Sequence, residues 1–217
     1  MTRRVTAFGW VPDFAQGLVR DLRVRWALEE AGLPYQERLL GLGEHKQDAF
    51  RRLQPFGQVP VYEEDGLTLF ESGAIVLHIA RRSEVLMPDD AARRARVEAW
   101  VFAALNTIEV PIHGLIEIDL FNPDQEWARL RRPDALEQVR VRLDELAAAL
   151  RGRDYLEGRF TAADLMMTTV LRIMRHTDLV SGHPLLAPYV ARCEARPAFQ
   201  KALADQVAPF ERHAPAA

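Results

Sequence analysis

Phe56-Gly57-Gln58-Val59-Pro60-Val61-Tyr62-Glu63-Glu64-Asp65-Gly66-Leu67-Thr68-Leu69-Phe70-Glu71-Ser72-Gly73-Ala74-Ile75 decides the fold. Its apolar strand is interrupted by Pro60, and a proline removes a ladder hydrogen bond, so it belongs at an edge, a bulge or a cis turn. An acidic turn from Glu63 to Gly66 follows. A second strand then ends in Glu71–Ser72, at the mouth of an apolar helix. With a cis Val59–Pro60 bond, the main chain of Val59 turns outward and offers an N–H and a C=O to an extended peptide, as in strand addition. Ser72 and the free N–H groups of the next helix make a seat for a carboxylate. Together these features suit a small acidic peptide. Singly they are weak, since Gly-Gln-Val-Pro also serves as a turn and Glu-Ser as an ordinary N-cap; order and spacing carry the reading.

Upstream, Val5 to Trp10 is β-rich, and from Leu18 the period changes. Leu18, Leu22 and Trp26 recur at four-residue spacing, which predicts a helix with one buried face. It stops at Gly32, with Pro34 just beyond. Tyr35 to Leu40 reads as the next strand and Phe50 to Leu53 as a short helical turn. The order is β-α-β, a connecting turn, then β-β-α. This predicts an α/β thioredoxin-like domain over residues 1–82, a linker over 83–90 around Pro88, and an all-α domain over 91–217. In the second part a long helix runs from Ala91 to about Asp119, bent at Pro111 and Gly114, and Pro133–Asp134 opens another. Thr161 and Asp164 have capping-box spacing ahead of Leu165-Met166-Met167.

Gln58-Val59-Pro60, Glu71–Ser72 and Thr161–Asp164, in this order, resemble the cytosolic-type bacterial glutathione S-transferase family over nearly the whole chain. The resemblance implies the glutathione transferase fold, with glutathione as co-substrate, no metal, and attack of its thiolate on a small, mostly apolar electrophile. It also implies a cytoplasmic homodimer active in detoxification. Carried over by position, Val59 pairs with the cysteinyl unit beside Gln58 and Pro60, and Glu71 and Ser72 hold the γ-glutamyl amino and carboxylate groups. Lys46, or else His45, stands near the glycyl carboxylate. The second substrate is expected between the domains, where Glu109, His113 and Trp127 fall.

A free thiol has a pKa of about 8.5, and only the thiolate attacks. Lowering it by about two units takes about 2.7 kcal/mol of preferential stabilisation of the anion. The family usually places a Tyr, Ser or Cys donor in the loop after the first strand. Here that loop reads Trp10-Val11-Pro12-Asp13-Phe14-Ala15-Gln16-Gly17 and has none of them. The remaining candidates are Arg20, the Trp10 indole, the Gln16 amide and main-chain N–H groups near Gln16–Leu18. Two alternatives stand beside the transferase: a non-catalytic protein-interaction module on this fold, or a dedicated glutathione-dependent lyase or dehalogenase.

Composition agrees with a globular chain: 217 residues, 48% hydrophobic and 27% charged. A net charge of −3 gives no reason to expect a nucleic acid or an anionic membrane as partner. No uninterrupted apolar run reads as a membrane span. Cys193 is the single cysteine, which excludes an intramolecular disulfide and a Cys-x-x-Cys redox centre.

Overall fold

The computed structural model describes residues 2–214. The first part contains β1 (Arg3–Phe8), α1 (Asp21–Glu30), β2 (Gln36–Leu40), α2 (Asp48–Arg51), β3 (Tyr62–Glu64), β4 (Leu67–Leu69) and α3 (Ser72–Ala80). The sheet order is β2-β1-β3-β4. β1 is parallel to β2 and antiparallel to β3, and β3 is antiparallel to β4. This is the thioredoxin-like arrangement expected from the sequence. One detail differs: Pro60 does not interrupt a strand but precedes β3, which is entered through a Thr6 N–H to Val61 C=O bond of 2.8 Å.

The helical part contains α4 (Ala91–Phe102), α5 (Glu109–Ile116), α6 (Glu126–Leu150), α7 (Ala162–Leu171) and α8 (Leu186–Glu194). α9 (Pro197–His213) follows, with Pro197 in its first turn. By packing, the sheet, its helices and α9 form one compact unit, and Pro88–Glu194 forms the other. The reading by sequence placed α9 with the helical part; residues 215–217, which it also included, lie outside the described residues.

α9 joins the sheet unit through α1. Trp26 and Phe199 stack edge-to-face with ring centroids 4.8 Å apart. Arg196 forks onto Glu30 at 2.5 and 2.8 Å, and the Gln206 amide donates to Asp21 Oδ1 at 2.7 Å. Covered by β1, α3 and α9, α1 buries every residue from Asp21 to Leu28 rather than the single face predicted from its spacing. Its charges are matched internally: Arg25 donates to Asp21 at 2.7 Å and also to Glu37. At the end of β3, burial alone would push the Glu64 carboxyl up. Hydrogen bonds from Arg82 and His78, with the charges of Arg82 and Arg3, outweigh it and draw the pKa down to about 2.

In the second unit, one helix runs from Ala91 to Phe121, with π-helical turns at Ala103–Ile108 and Glu117–Phe121. The first wide turn precedes Pro111, whose ring cannot accept a regular helical carbonyl behind it. By length and composition this helix could cross a bilayer, which the run-by-run reading missed; part of it is buried inside the unit, as in a core helix. α6 begins at Glu126, seven residues before Pro133, so the proline lies inside the helix instead of opening it. Arg132, beside Pro133, pairs bidentately with Asp119 at 2.7 and 3.2 Å.

α7 is wholly buried, and its capping box is present. Thr161 Oγ1 accepts from the Ala163 N–H at 3.3 Å. Asp164 accepts from the N–H groups of Leu156 and Thr161 at 2.9 and 3.0 Å, and from the Tyr189 hydroxyl at 3.0 Å.

Candidate functional site

The Val59–Pro60 bond is cis. Among the described residues, neither the N–H nor the C=O of Val59 makes a hydrogen bond, although its side chain packs with Leu40, Phe50 and Val61. The turn around it is built from behind. Buried Gln54 accepts from the N–H groups of Phe56 and Gln58 through Oε1, at 2.7 and 3.3 Å. Gly57 has φ +61, and a Cβ there would lie 2.6 Å from the His45 carbonyl oxygen, so only glycine lets these loops approach. That approach lets Lys46 Nζ reach the Gly57 carbonyl at 3.2 Å. Lys46, Gln58, Val59 and Pro60 are thereby brought together. His45 packs edge-on against Phe8 with centroids 5.0 Å apart. Burial and the neighbouring Lys46 lower its pKa, so it is neutral at pH 7 and Lys46 is the cation here.

At the start of α3, Glu71 takes φ +67 and ψ 112, a positive-φ conformation that costs a non-glycine residue of order 1–3 kcal/mol. Its side chain makes no cap bond. Ser72 is 5% exposed, and its Oγ accepts from Arg23 Nη1 at 3.2 Å. The α3 entrance therefore keeps open first-turn N–H groups, a hydroxyl and a nearby guanidinium, which favour an anion. Arg23 was missed in the sequence. It lies 49 residues from Ser72, in a helix whose buried face could not be told from its exposed one by spacing.

The loop after β1 is a different matter. Its Asp13–Ala15 turn is closed by bonds from Ala15, Gln16 and Leu18 N–H groups to Pro12, Asp13 and Ala15 carbonyls at 2.8, 3.2 and 3.0 Å. The Gln16 amide donates to Val11 C=O and to Asp13 Oδ1 at 3.3 and 3.1 Å. Gln16 and the Gln16 and Leu18 main-chain donors are thus spent on the loop itself, against the expectation that they face an anion. Arg20 is the N-cap of α1 and, like Trp10, half-buried.

In the helical unit, Trp127 lines a groove of 1010 Å³ with Asn106, Val110 and Gly114. Glu109 and His113 instead pair with each other along α5, Nε2 to Oε1, at 3.2 Å. Among the described residues, no group of three or more His, Cys, Asp or Glu side chains is placed to hold a metal ion.

The family described as "Glutathione S-transferase, N-terminal domain" matches residues 14–81, and "Glutathione S-transferase, C-terminal domain" matches residues 121–197. Glutathione S-transferase theta-1 of Mus musculus is 31% identical over 183 residues, covering 75% of this chain and 73% of that protein. The chain belongs to the glutathione S-transferase family.

Glutathione S-transferase 4 of Zea mays is 29% identical over 212 residues, covering 92% of each. A crystal structure of a glutathione transferase from Burkholderia graminis, with two glutathione molecules bound per subunit, matches with TM-score 0.80 and 25% identity. The match covers 94% of this chain and 88% of that one. Relatives from plants and mammals do not single out a bacterial branch of the glutathione S-transferases. They also give no support to the protein-interaction or dedicated-lyase alternatives.

Proposed function

We propose how this chain, by family a glutathione transferase, binds and activates its thiol substrate. The observation that carries the reading is one open edge and one open helix start at the two ends of a single β-hairpin. Glutathione lies along Val59, whose N–H and C=O pair with the cysteinyl unit, flanked by Gln58 and Pro60. Ser72 and the first turn of α3 receive the γ-glutamyl carboxylate, Glu71 receives its ammonium, and Lys46 faces the glycyl carboxylate. Arg20 at the α1 N-terminus stabilises the thiolate by charge, since the loop offers no hydroxyl or thiol and its amide is spent; the Trp10 indole N–H is the other side-chain donor proposed there. The thiolate forms a carbon–sulfur bond to an apolar electrophile, whose displaced or added electron pair leaves with the leaving group or takes up a proton. Glu109, His113 and Trp127 are proposed for that second substrate. The protein acts in the cytoplasm as a homodimer in detoxification. Exposed Phe56 and Phe70, stacked edge-to-face at 6.3 Å, support an association surface.

The test is a titration of glutathione at neutral pH, following tryptophan fluorescence and thiolate absorbance near 240 nm. Saturable quenching with a rising thiolate band is the expected result. Quenching without the band would remove the activating role of Arg20. No binding at millimolar glutathione would overturn the site.

A further inference from the structure

We infer that Arg23 is a positioning residue for the γ-glutamyl carboxylate, acting through the hydroxyl of Ser72; this rests on the glutathione-binding reading above. The guanidinium carries donors only. When Arg23 Nη1 donates to Ser72 Oγ at 3.2 Å, the serine is fixed as acceptor on that side and its own hydrogen must point elsewhere. Among the described residues, Ser72 Oγ makes no other hydrogen bond. Both partners are buried, at 2% and 5% exposure, so water does not compete freely for that hydrogen. The direction left to it is the open first turn of α3, where Glu71 makes no side-chain cap. A carboxylate seated there accepts from the Ser72 hydroxyl and from first-turn N–H groups together. Arg23 adds positive charge at the positive end of the helix macrodipole without touching the ligand.

Arg25, two residues on, meets different partners. Arg25 is tied to Asp21 and Glu37 and serves packing within the sheet unit. Arg23 is aimed across to a neutral hydroxyl on another helix, at the point where the chain takes positive φ. A guanidinium there orders a rotor that an isolated serine would leave free.

The experiment pairs two variants with two ligands in calorimetry on the full chain. The ligands are glutathione and its decarboxylated analogue, 4-aminobutyryl-cysteinyl-glycine. Arg23→Met keeps the side-chain volume and removes the donors; Arg23→Lys keeps a charge on a single donor nitrogen. Arg23→Met is expected to weaken glutathione about tenfold, or about 1.4 kcal/mol, while leaving the analogue within about twofold. Arg23→Lys is expected to lose less with the same selectivity. In a Ser72→Ala background, Arg23→Met is expected to cost nothing further. Equal weakening of both ligands, or a full tenfold additional loss in that background, would overturn the proposal in favour of a purely structural arginine. If Arg23→Met does not fold, Arg23→Lys decides by the same ligand ratio. Failure of the unsubstituted protein to bind glutathione would overturn the site itself, a result distinct from an Arg23 without ligand selectivity.

Discussion

Two buried helices, α3 and α7, begin in chemically similar ways and end up doing opposite things. Both open on a hydroxyl residue, Ser72 or Thr161, beside an acidic one, Glu71 or Asp164. At α7 the polar groups close on each other: Asp164 takes donors from Leu156, Thr161 and Tyr189, and Thr161 caps Ala163. At α3 nothing closes. Glu71 points outward in a positive-φ conformation, and Ser72 answers to a buried arginine instead of its own helix. A closed helix start stabilises the fold, because unmet buried donors are expensive. An open one holds its hydrogen-bonding capacity for a ligand.

The largest expected effect comes from opening the closed start. Asp164→Ala strands the buried donors of Leu156, Thr161 and Tyr189 and is expected to destabilise by about 4 kcal/mol, read as a shift in urea midpoint. Glutathione affinity of the folded protein should not move. Asp164 also gives the closed start a pH signature. Burial pushes its carboxyl up from the ordinary aspartate range to about 6 despite the hydrogen bonds it accepts. The folded state therefore holds the proton more tightly. The stability tied to it is full below about pH 4 and is lost as pH rises through about 6. Asp164→Asn should flatten that slope in denaturant titrations across this window; an unchanged slope would assign it to another group.

The next effect comes from emptying the open start. Ser72→Ala removes the hydroxyl proposed to meet the γ-glutamyl carboxylate and is expected to weaken glutathione about 100-fold, or ~2.7 kcal/mol, by calorimetry. Its stability should fall only by what the buried Arg23–Ser72 hydrogen bond contributes, about 1–3 kcal/mol, less than the Asp164→Ala loss. A large loss of stability instead would make α3 a second closed start. Arg20→Ala tests activation apart from binding: kcat should fall about tenfold, ~1.4 kcal/mol. The pH profile of the 240 nm thiolate band should move toward the free-thiol value, with glutathione affinity little changed. The smallest effect is a trade. Glu71→Gly relieves the positive φ and should stabilise by about 1 kcal/mol while weakening glutathione several-fold, measured by thermal melts beside calorimetry.

The comparison also explains what was legible in the chain. Pro60, Glu71–Ser72 and Thr161–Asp164 announce themselves because their constraints are local: a missing N–H, a cap position, a three-residue box. The loop from Trp10 to Gly17 was legible only by what it lacks. That its donors close on Pro12, Asp13 and Val11 follows from a 3-10 turn that no periodicity signals. Pro133 misled, since a proline reads as a helix start while α6 begins at Glu126 and takes it inside.

By itself the sequence determined the order of strands and helices, the hairpin that ends at Ser72 and the box that starts α7. Each depends on residues within a few positions of one another, where backbone sterics and capping act. Only the tertiary structure decided that Arg23 reaches Ser72 across 49 residues, that Lys46 reaches Gly57, and that α9 packs on α1. Those contacts join elements distant along the chain. They are selected by burial and by the matching of donors to acceptors, which no local pattern encodes.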